Sequence, residues 1–238
     1  MPFPDEEPEL AIPKSETTTR VTRGGHVPTG VSADRRVKAA ERITKKSEIT
    51  RQALVDGARQ VFERDGYMDA RVTDIVAQAG VSHGSFYTYF PSKREVFQEV
   101  IRQVDLLIRE AVAHAPEDVP GQTTANLENA NRRYLRTHHQ NARILALMEQ
   151  VATADPEVEK SRLSGRAMHV KRIERTILAL QKRGLAYTDI DPRTTAGALV
   201  AMLASYAHWS TLDDPYDEDL TAKTLTQIWV RAIGLHEK

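Results

Sequence analysis

A short stretch of small polar and aromatic side chains, residues 82–89, has the composition of a recognition surface. His83 and Ser85 can each donate or accept a hydrogen bond, as the edges of base pairs require. Gly84 has no side chain, so the backbone there can come close to another molecule. The hydroxyl of Tyr87 suits a phosphate oxygen. These residue types predict contacts with nucleic acid.

Two short helices within residues 72–90 are predicted to position these side chains. Gly80 should end the first helix, because glycine accepts the left-handed conformation at a helix C-terminus. Ser82 can cap the second helix, whose Phe86 and Phe90 should face inward. A helix pair joined by a glycine turn has the geometry of a helix-turn-helix, which places its second helix in the major groove.

Residues 47–97, and above all AQAGVSHGSFYTYFPSKREVF, resemble the DNA-binding head of the tetracycline-repressor-type (TetR) family. The shared features are a glycine turn followed by Val-Ser, an apolar-Tyr pair, Tyr-Phe and Ser-Lys. The resemblance implies that eight residues face DNA: Thr73, Ser82, His83, Gly84, Ser85, Tyr87, Tyr89 and Lys93. Arg71 stands where the family usually has a capping Ser or Thr. We expect it to contact a phosphate instead of capping the helix.

The rest of the chain shows helical apolar periodicity and contains no alternating strand segment of useful length. We therefore predict an all-α fold with a three-helix head at 47–97, joined to a larger helical domain at 98–238. A helix at about 93–114 should connect the two parts. Further helices are predicted at about 122–139, 142–153, 157–183, 192–211 and 217–235.

Residues 1–46 are predicted to form a flexible basic arm, because they contain five prolines and few large apolar side chains. Its basic half is able to become helical from about Asp34. Residues 20–46 carry eight basic and two acidic side chains, a net charge of +6, although the whole chain is neutral with 33 of each. This concentration of positive charge suits attraction to phosphate, and a solvated linker explains it equally well.

Composition excludes several classes of function. The chain has no cysteine, so neither disulfides nor thiol chemistry is possible. No apolar run approaches the ~20 residues that span a bilayer, and the acidic N-terminus lacks the order of a signal peptide. We therefore predict a cytoplasmic protein without a membrane partner. Because nucleophile elbows, phosphate-binding glycine loops and paired metal motifs are missing, we predict no enzyme activity, catalytic residue, metal or cofactor.

The resemblance further implies a homodimer and a small-molecule pocket in the larger domain. The candidate pocket residues are Asn129, Arg133, Tyr134, Tyr206 and Trp209. A solvated helix face explains the first three equally well, and a place in the core or an interface is the commoner alternative for the last two. The candidate dimer interface lies on the apolar faces of the last two helices, at Leu199, Met202, Leu203, Leu225, Ile228 and Trp229.

These observations together predict a sequence-specific, DNA-binding transcriptional regulator. By the resemblance it is a repressor, released from a near-palindromic double-stranded operator by a small-molecule effector. The alternative is a ligand-independent helical module that binds DNA or protein.

Overall fold

Nine α-helices and no strand make up the parts of the chain that the structure, a computed structural model, describes: residues 33–113, 123–213 and 217–236. The helices are α1 (Ala33–Asp69), α2 (Val72–Ala79), α3 (His83–Tyr89), α4 (Lys93–Ala113), α5 (Thr123–Gln140), α6 (Ala142–Ala152), α7 (Pro156–Lys182), α8 (Pro192–Asp213) and α9 (Glu218–Ile233). The predicted all-α fold is confirmed. None of the helices described is long and apolar enough to cross a bilayer.

The first helix, α1, begins within the range that was predicted to be the arm, residues 1–46. Residues 1–43 and 44–238 form separate units, and α1 starts at Ala33, inside the range assigned to the arm. The helix expected from about Asp34 is therefore confirmed. Residues 1–32 of the arm lie outside the described residues, and its flexibility stays a prediction.

Local chemistry explains several helix boundaries in the head and in the larger domain. Gly66 interrupts α1 with a φ of +78°, and Gly80 ends α2 with a φ of +67°. Asp155 caps α7, because its side chain accepts hydrogen bonds from the backbone N–H groups of Glu157 and Val158. The prolines that follow such caps fit the first helical turn, since that turn leaves its N–H groups free.

One apolar cluster joins the head to the rest of the molecule. It contains Leu54 and Phe62 of α1, Ile75 of α2 and Phe97 of α4, and it continues into α6 at Ile144. Phe62 and Phe97 meet edge to face, with ring centroids 5.1 Å apart. The predicted division at 97/98 therefore falls inside α4 and inside a shared core, so motion of α4 must be felt on both sides.

A second apolar cluster lies among α5, α7, α8 and α9. Its buried members include Leu135, Ile177, Leu203 and Trp229, which is 3% exposed. Tyr134 on α5 packs against both clusters. The larger domain thus has a core of its own that touches the core of the head through α5.

Candidate nucleic-acid interface and internal cavity

The surface of α3 carries the side chains that the sequence assigned to it. His83 and Gly84 are exposed, and Tyr87 is 53% exposed. Phe86 and Phe90 are buried, at 0% and 3% exposure, and anchor the helix to the head as predicted. One face of α3 is therefore free to meet another molecule while the opposite face belongs to the core.

Hydrogen bonds within α3 hold its N-terminal residues in place. The Ser82 hydroxyl accepts from the Ser85 N–H at 3.3 Å, which confirms the predicted cap. The hydroxyls of Ser82 and Ser85 also lie 2.7 Å apart. The rings of His83 and Tyr87 pack at 5.4 Å. Side chains already fixed by neighbours lose less entropy when they bind a partner.

Two of the residues expected to face DNA have other roles in this structure. Tyr89 is only half-exposed and packs against the apolar cluster of the head. The Lys93 ammonium donates to the carbonyl oxygens of Tyr67, Met68 and Ala70, at 2.7, 3.2 and 2.9 Å. Burial lowers the pKa of Lys93. The ammonium group therefore stabilises the C-terminal end of α1. A phosphate would have to compete with these three carbonyl oxygens for it.

Arg71 and Thr73, at the start of α2, are exposed. Arg71 makes no side-chain capping bond, as the sequence predicted. Both residues lie in the same head as the exposed face of α3, and their contacts with DNA stay predictions. The guanidinium of Arg71 has five donors and no acceptor, which is consistent with the predicted phosphate contact.

Two polar contacts that sequence reasoning missed attach α1 to its neighbours. Arg51 on α1 and Glu99 on α4 form a salt bridge of 3.0 Å, and the guanidinium of Arg102 also pairs with Glu99. These arginines hold the pKa of the Glu99 carboxyl at about 2. Arg59 donates to the side-chain oxygen of Asn141 at 2.8 Å, between α5 and α6. The partners are far apart in sequence, so no local pattern could reveal them.

A cavity of about 980 Å³ runs from the head into the larger domain. One face of α4 lines it along most of the helix, at Glu95, Gln98, Ile101, Arg102, Asp105, Ile108, Arg109 and Val112. Phe90 and Pro91 border it at the head, and Trp229 borders it at α9. Its volume is at the upper end of the ~300–1,000 Å³ typical of small-molecule sites.

The cavity contains only two of the five predicted ligand residues, Tyr134 and Trp209. Asn129 is exposed and accepts a hydrogen bond from Arg132, so the alternative of a solvated face holds for it. Arg133 donates to the carbonyl of Ala111 at the end of α4. Its partner is thus the backbone of a neighbouring helix and not the cavity.

Tyr206 also lies outside the cavity lining, because it packs against the apolar cluster of the larger domain. Burial raises the pKa of Tyr134 to about 12, so its phenol is neutral at ordinary pH. Trp209 is 66% exposed although it touches the cavity, which places it at the cavity mouth.

The structure also revises the predicted dimer interface. Four of its six residues are buried within the protomer, at 3–6% exposure: Leu199, Leu203, Leu225 and Trp229. Only Ile228, at 43%, and the half-buried Met202 remain accessible. Apolar periodicity located an inward face, and α5 and α7 of the same chain cover that face.

His138, Arg172 and Trp229 line the cavity and were not predicted to do so. Burial, and then the neighbouring His208 and His139, lower the pKa of His138 to about 4. No cluster of three metal-binding side chains occurs among the residues described. His138 is therefore a neutral polar group in the wall of the cavity. The sequence signal that could have found His138 is its spacing on α5: Asn131, Tyr134 and His138 lie three and four residues apart, on one helix face, and all line the cavity.

Comparison with known sequences matches the head to a family. The family model described as "Bacterial regulatory proteins, tetR family" matches residues 54–100. The chain is 28% identical over 171 residues to the "Uncharacterized HTH-type transcriptional regulator YdgC" of Bacillus subtilis, covering 68% of this chain and 80% of that one. It is also 28% identical over 152 residues to the "HTH-type transcriptional repressor DhaR" of Mycobacterium sp. (strain GP1), covering 63% and 77%.

Solved structures share the fold of more than three quarters of the chain. A transcriptional regulator from Rhodococcus sp. Rha1 aligns with a TM-score of 0.65 at 16% identity, covering 78% of this chain and 98% of that one. NalD, described as the secondary repressor of the MexAB-OprM multidrug efflux pump in Pseudomonas aeruginosa, aligns with a TM-score of 0.63 at 21% identity, covering 79% and 98%. The similarity in fold thus extends well beyond the matched head.

Proposed function

We propose that a small molecule bound in the α4-lined cavity controls the affinity of this chain for operator DNA. The premise is that the chain is a regulatory protein of the bacterial tetR family. As a member of that family, the chain is a DNA-binding transcription regulator. The proposal adds the means of control. It also takes the chain to be a repressor without enzyme activity, since relatives such as DhaR are named repressors.

The observation that carries the proposal is the course of α4. The helix starts at Lys93, four residues after the end of α3, and its cavity-lining face reaches Val112. A molecule in the cavity would therefore touch the helix that supports the reading head. A ligand that prefers one position of α4 shifts the population towards that position, by no more than its difference in affinity for the two.

We further propose that two copies of the chain bind one near-palindromic operator. Two reading helices related by a twofold axis enter the major groove on one face of the DNA, about 34–36 Å apart or somewhat further. The exposed faces of α8 and α9, with Ile228 and Met202, are the proposed contact between copies. His83, Gly84, Ser85 and Tyr87 are the proposed base and phosphate contacts of each copy.

The test begins with an operator selected from random DNA, followed by a panel of aliphatic and aromatic acids, alcohols and amines. Release of labelled operator is read by fluorescence anisotropy. Ala204 lines the cavity, so Ala204→Phe should fill part of it and abolish release, while operator affinity without ligand stays within about twofold.

Ala179→Phe is the matched control, because Ala179 is exposed on α7 and does not line the cavity. It should leave both operator affinity and release unchanged. Release that is equally strong in the Ala204→Phe chain would place the controlling site elsewhere, and an operator that no compound releases would contradict control by a ligand.

A further inference from the structure

Hydrogen-bond donors without partners are concentrated in the wall of the cavity. Four buried polar atoms of cavity-lining residues have no hydrogen-bond partner within the part of the chain that the structure describes: Arg109 Nε, His138 Nδ1, Arg172 Nε and Trp229 Nε1. The arginine and tryptophan groups can only donate. An unpaired buried donor is unfavourable, so the cavity favours a ligand that supplies acceptors.

The two arginines lie on neighbouring helices, α4 and α7, which contact each other at two places along the cavity. Near the middle of α4, Asp105 lies 3.3 Å from the ring of His169 on α7. Further along both helices, Arg172 donates to the carbonyl of Val112. The contacts advance in the same direction on each helix, and Arg109 lies between Asp105 and Val112. Arg109 of α4 and Arg172 of α7 therefore both border the part of the cavity that lies between these two helices.

The charge of these two arginines is only partly balanced. Arg109 forms a salt bridge with Asp105. Arg172 forms none with the acidic side chains that the structure describes, and its bond to the Val112 carbonyl is long, at 3.4 Å. A half-buried guanidinium held only by a weak neutral acceptor would gain from a carboxylate or sulfonate, since charge-assisted hydrogen bonds are shorter and stronger.

Several buried apolar side chains also line the cavity. Ile108 of α4, Ile173 of α7, Leu203 of α8 and Trp229 of α9 all line it, and each is at least nine-tenths buried. Burial of an apolar ligand surface against these side chains is favourable, because it removes that surface from water. The wall therefore combines an anion-binding end with a larger apolar surface.

We propose that the cavity binds an amphipathic organic anion, whose acidic group accepts hydrogen bonds from Arg109 and Arg172 and whose apolar body lies against Ile173 and Leu203. This proposal rests on the proposed function, because it names the class of effector for the same cavity. Binding exchanges the Arg172–Val112 contact for a contact with the ligand. The anion thereby acts directly on the C-terminal end of α4, the helix that carries the head.

Two fluorescent probes with nearly the same skeleton test the proposal with the full-length protein. 8-Anilino-1-naphthalenesulfonate is an anion, and N-phenyl-1-naphthylamine is its neutral counterpart. Arg172→Gln should weaken binding of the sulfonate at least about tenfold and change binding of the neutral probe less than about twofold, because only the charged bond is lost. Arg172→Lys keeps the charge and should keep sulfonate binding within about threefold of the original chain.

Arg175→Gln is the matched control, since Arg175 is exposed one turn along α7 and does not line the cavity. It should alter the affinity of neither probe. If the Arg172→Gln chain fails to fold, Arg109→Gln provides the same test from α4, with a loss of at least about fivefold for the sulfonate alone.

The outcomes separate this proposal from the proposed function. An Arg172→Gln chain that loses both probes equally, or neither, overturns the anion site. Binding of the neutral probe but not the sulfonate to the original chain also overturns it, yet leaves control by a cavity ligand standing. Failure of both probes to bind overturns the anion site and leaves the proposed function to the operator-release experiment. Operator release by other compounds, measured separately, would support only the proposed function.

Discussion

Gly84 is the residue at which stability and DNA binding separate most cleanly. A Cβ atom added there would meet nothing within 4 Å, so alanine fits the folded head. Because alanine favours helix more than glycine, Gly84→Ala should leave the melting temperature unchanged or raise it, by at most about 1 kcal/mol of stability. The added methyl group would stand between α3 and the bases, so we expect operator affinity to fall about tenfold.

Gly197→Ala is the control for this change, since its added Cβ also meets nothing within 4 Å, on α8. It should have a similarly small effect on stability and none on the operator. Thermal melting and anisotropy titrations measure the two effects. Operator binding by the Gly84→Ala chain at the original strength would remove the backbone of α3 from the DNA interface.

At the same scale, the residues that could be predicted were those governed by near neighbours. The cap by Ser82, the inward Phe86 and the exposed Tyr87 all follow from spacing within a few residues. Lys93 differs, because three carbonyls from residues 67–70 surround its ammonium. These carbonyl groups are more than twenty residues from Lys93 in the sequence, so the residues next to Lys93 could not predict the contact. A charge that is free by local pattern was thus already paired by the fold.

The contact between α1 and α4 depends on the ionisation of Glu99. Its folded pKa of about 2 lies below the ordinary carboxyl value of 4.5, because Arg102 and Arg51 stabilise the carboxylate. The resulting stability is complete above pH ~4.5 and is lost as pH falls towards ~2. Solvent screening limits this contribution to stability to about 1–2 kcal/mol, because the side chains of Arg51 and Arg102 are 39% and 55% exposed.

Glu99→Gln should therefore lower stability near neutral pH and flatten its decline between pH ~4.5 and ~2. Urea unfolding across that range measures the change. Glu63→Gln is the control, because Glu63 pairs with Arg59 within α1 alone, on a partly exposed surface. A Glu99→Gln chain with the original pH profile would show that the carboxylate does not hold the two helices.

The helices themselves were predictable to within a few residues at most boundaries. The predicted 142–153, 157–183 and 192–211 correspond to Ala142–Ala152, Pro156–Lys182 and Pro192–Asp213. Capping residues, prolines and glycines mark those ends locally. What each face packs against was not predictable. The apolar stripes of α8 and α9 are equally suited to a partner subunit and to α5 and α7, and the fold gives most of them to α5 and α7.

For the whole molecule, this assignment leaves a smaller surface for a second copy and makes the dimer testable. Ile228, 43% exposed on α9, is the most exposed of the six predicted interface residues. Ile228→Glu would bury an unpaired carboxylate between the copies, which costs several kcal/mol, while the fold of each protomer is kept. We therefore expect monomers in sedimentation velocity and a loss of operator affinity of at least about tenfold, since one copy offers one reading helix.

Leu107→Glu on α4 is the matched control, because Leu107 is 46% exposed and lies on neither α8 nor α9. It should remain a dimer with its operator affinity intact. Trp229→Glu cannot serve in this test, since a charge at a residue 3% exposed would disrupt the protomer core first. A Ile228→Glu chain that sediments as a dimer and binds operator normally would move the interface off α9. The reading heads would then have to be spaced by another surface, and half-site separation in the selected operator would report which one.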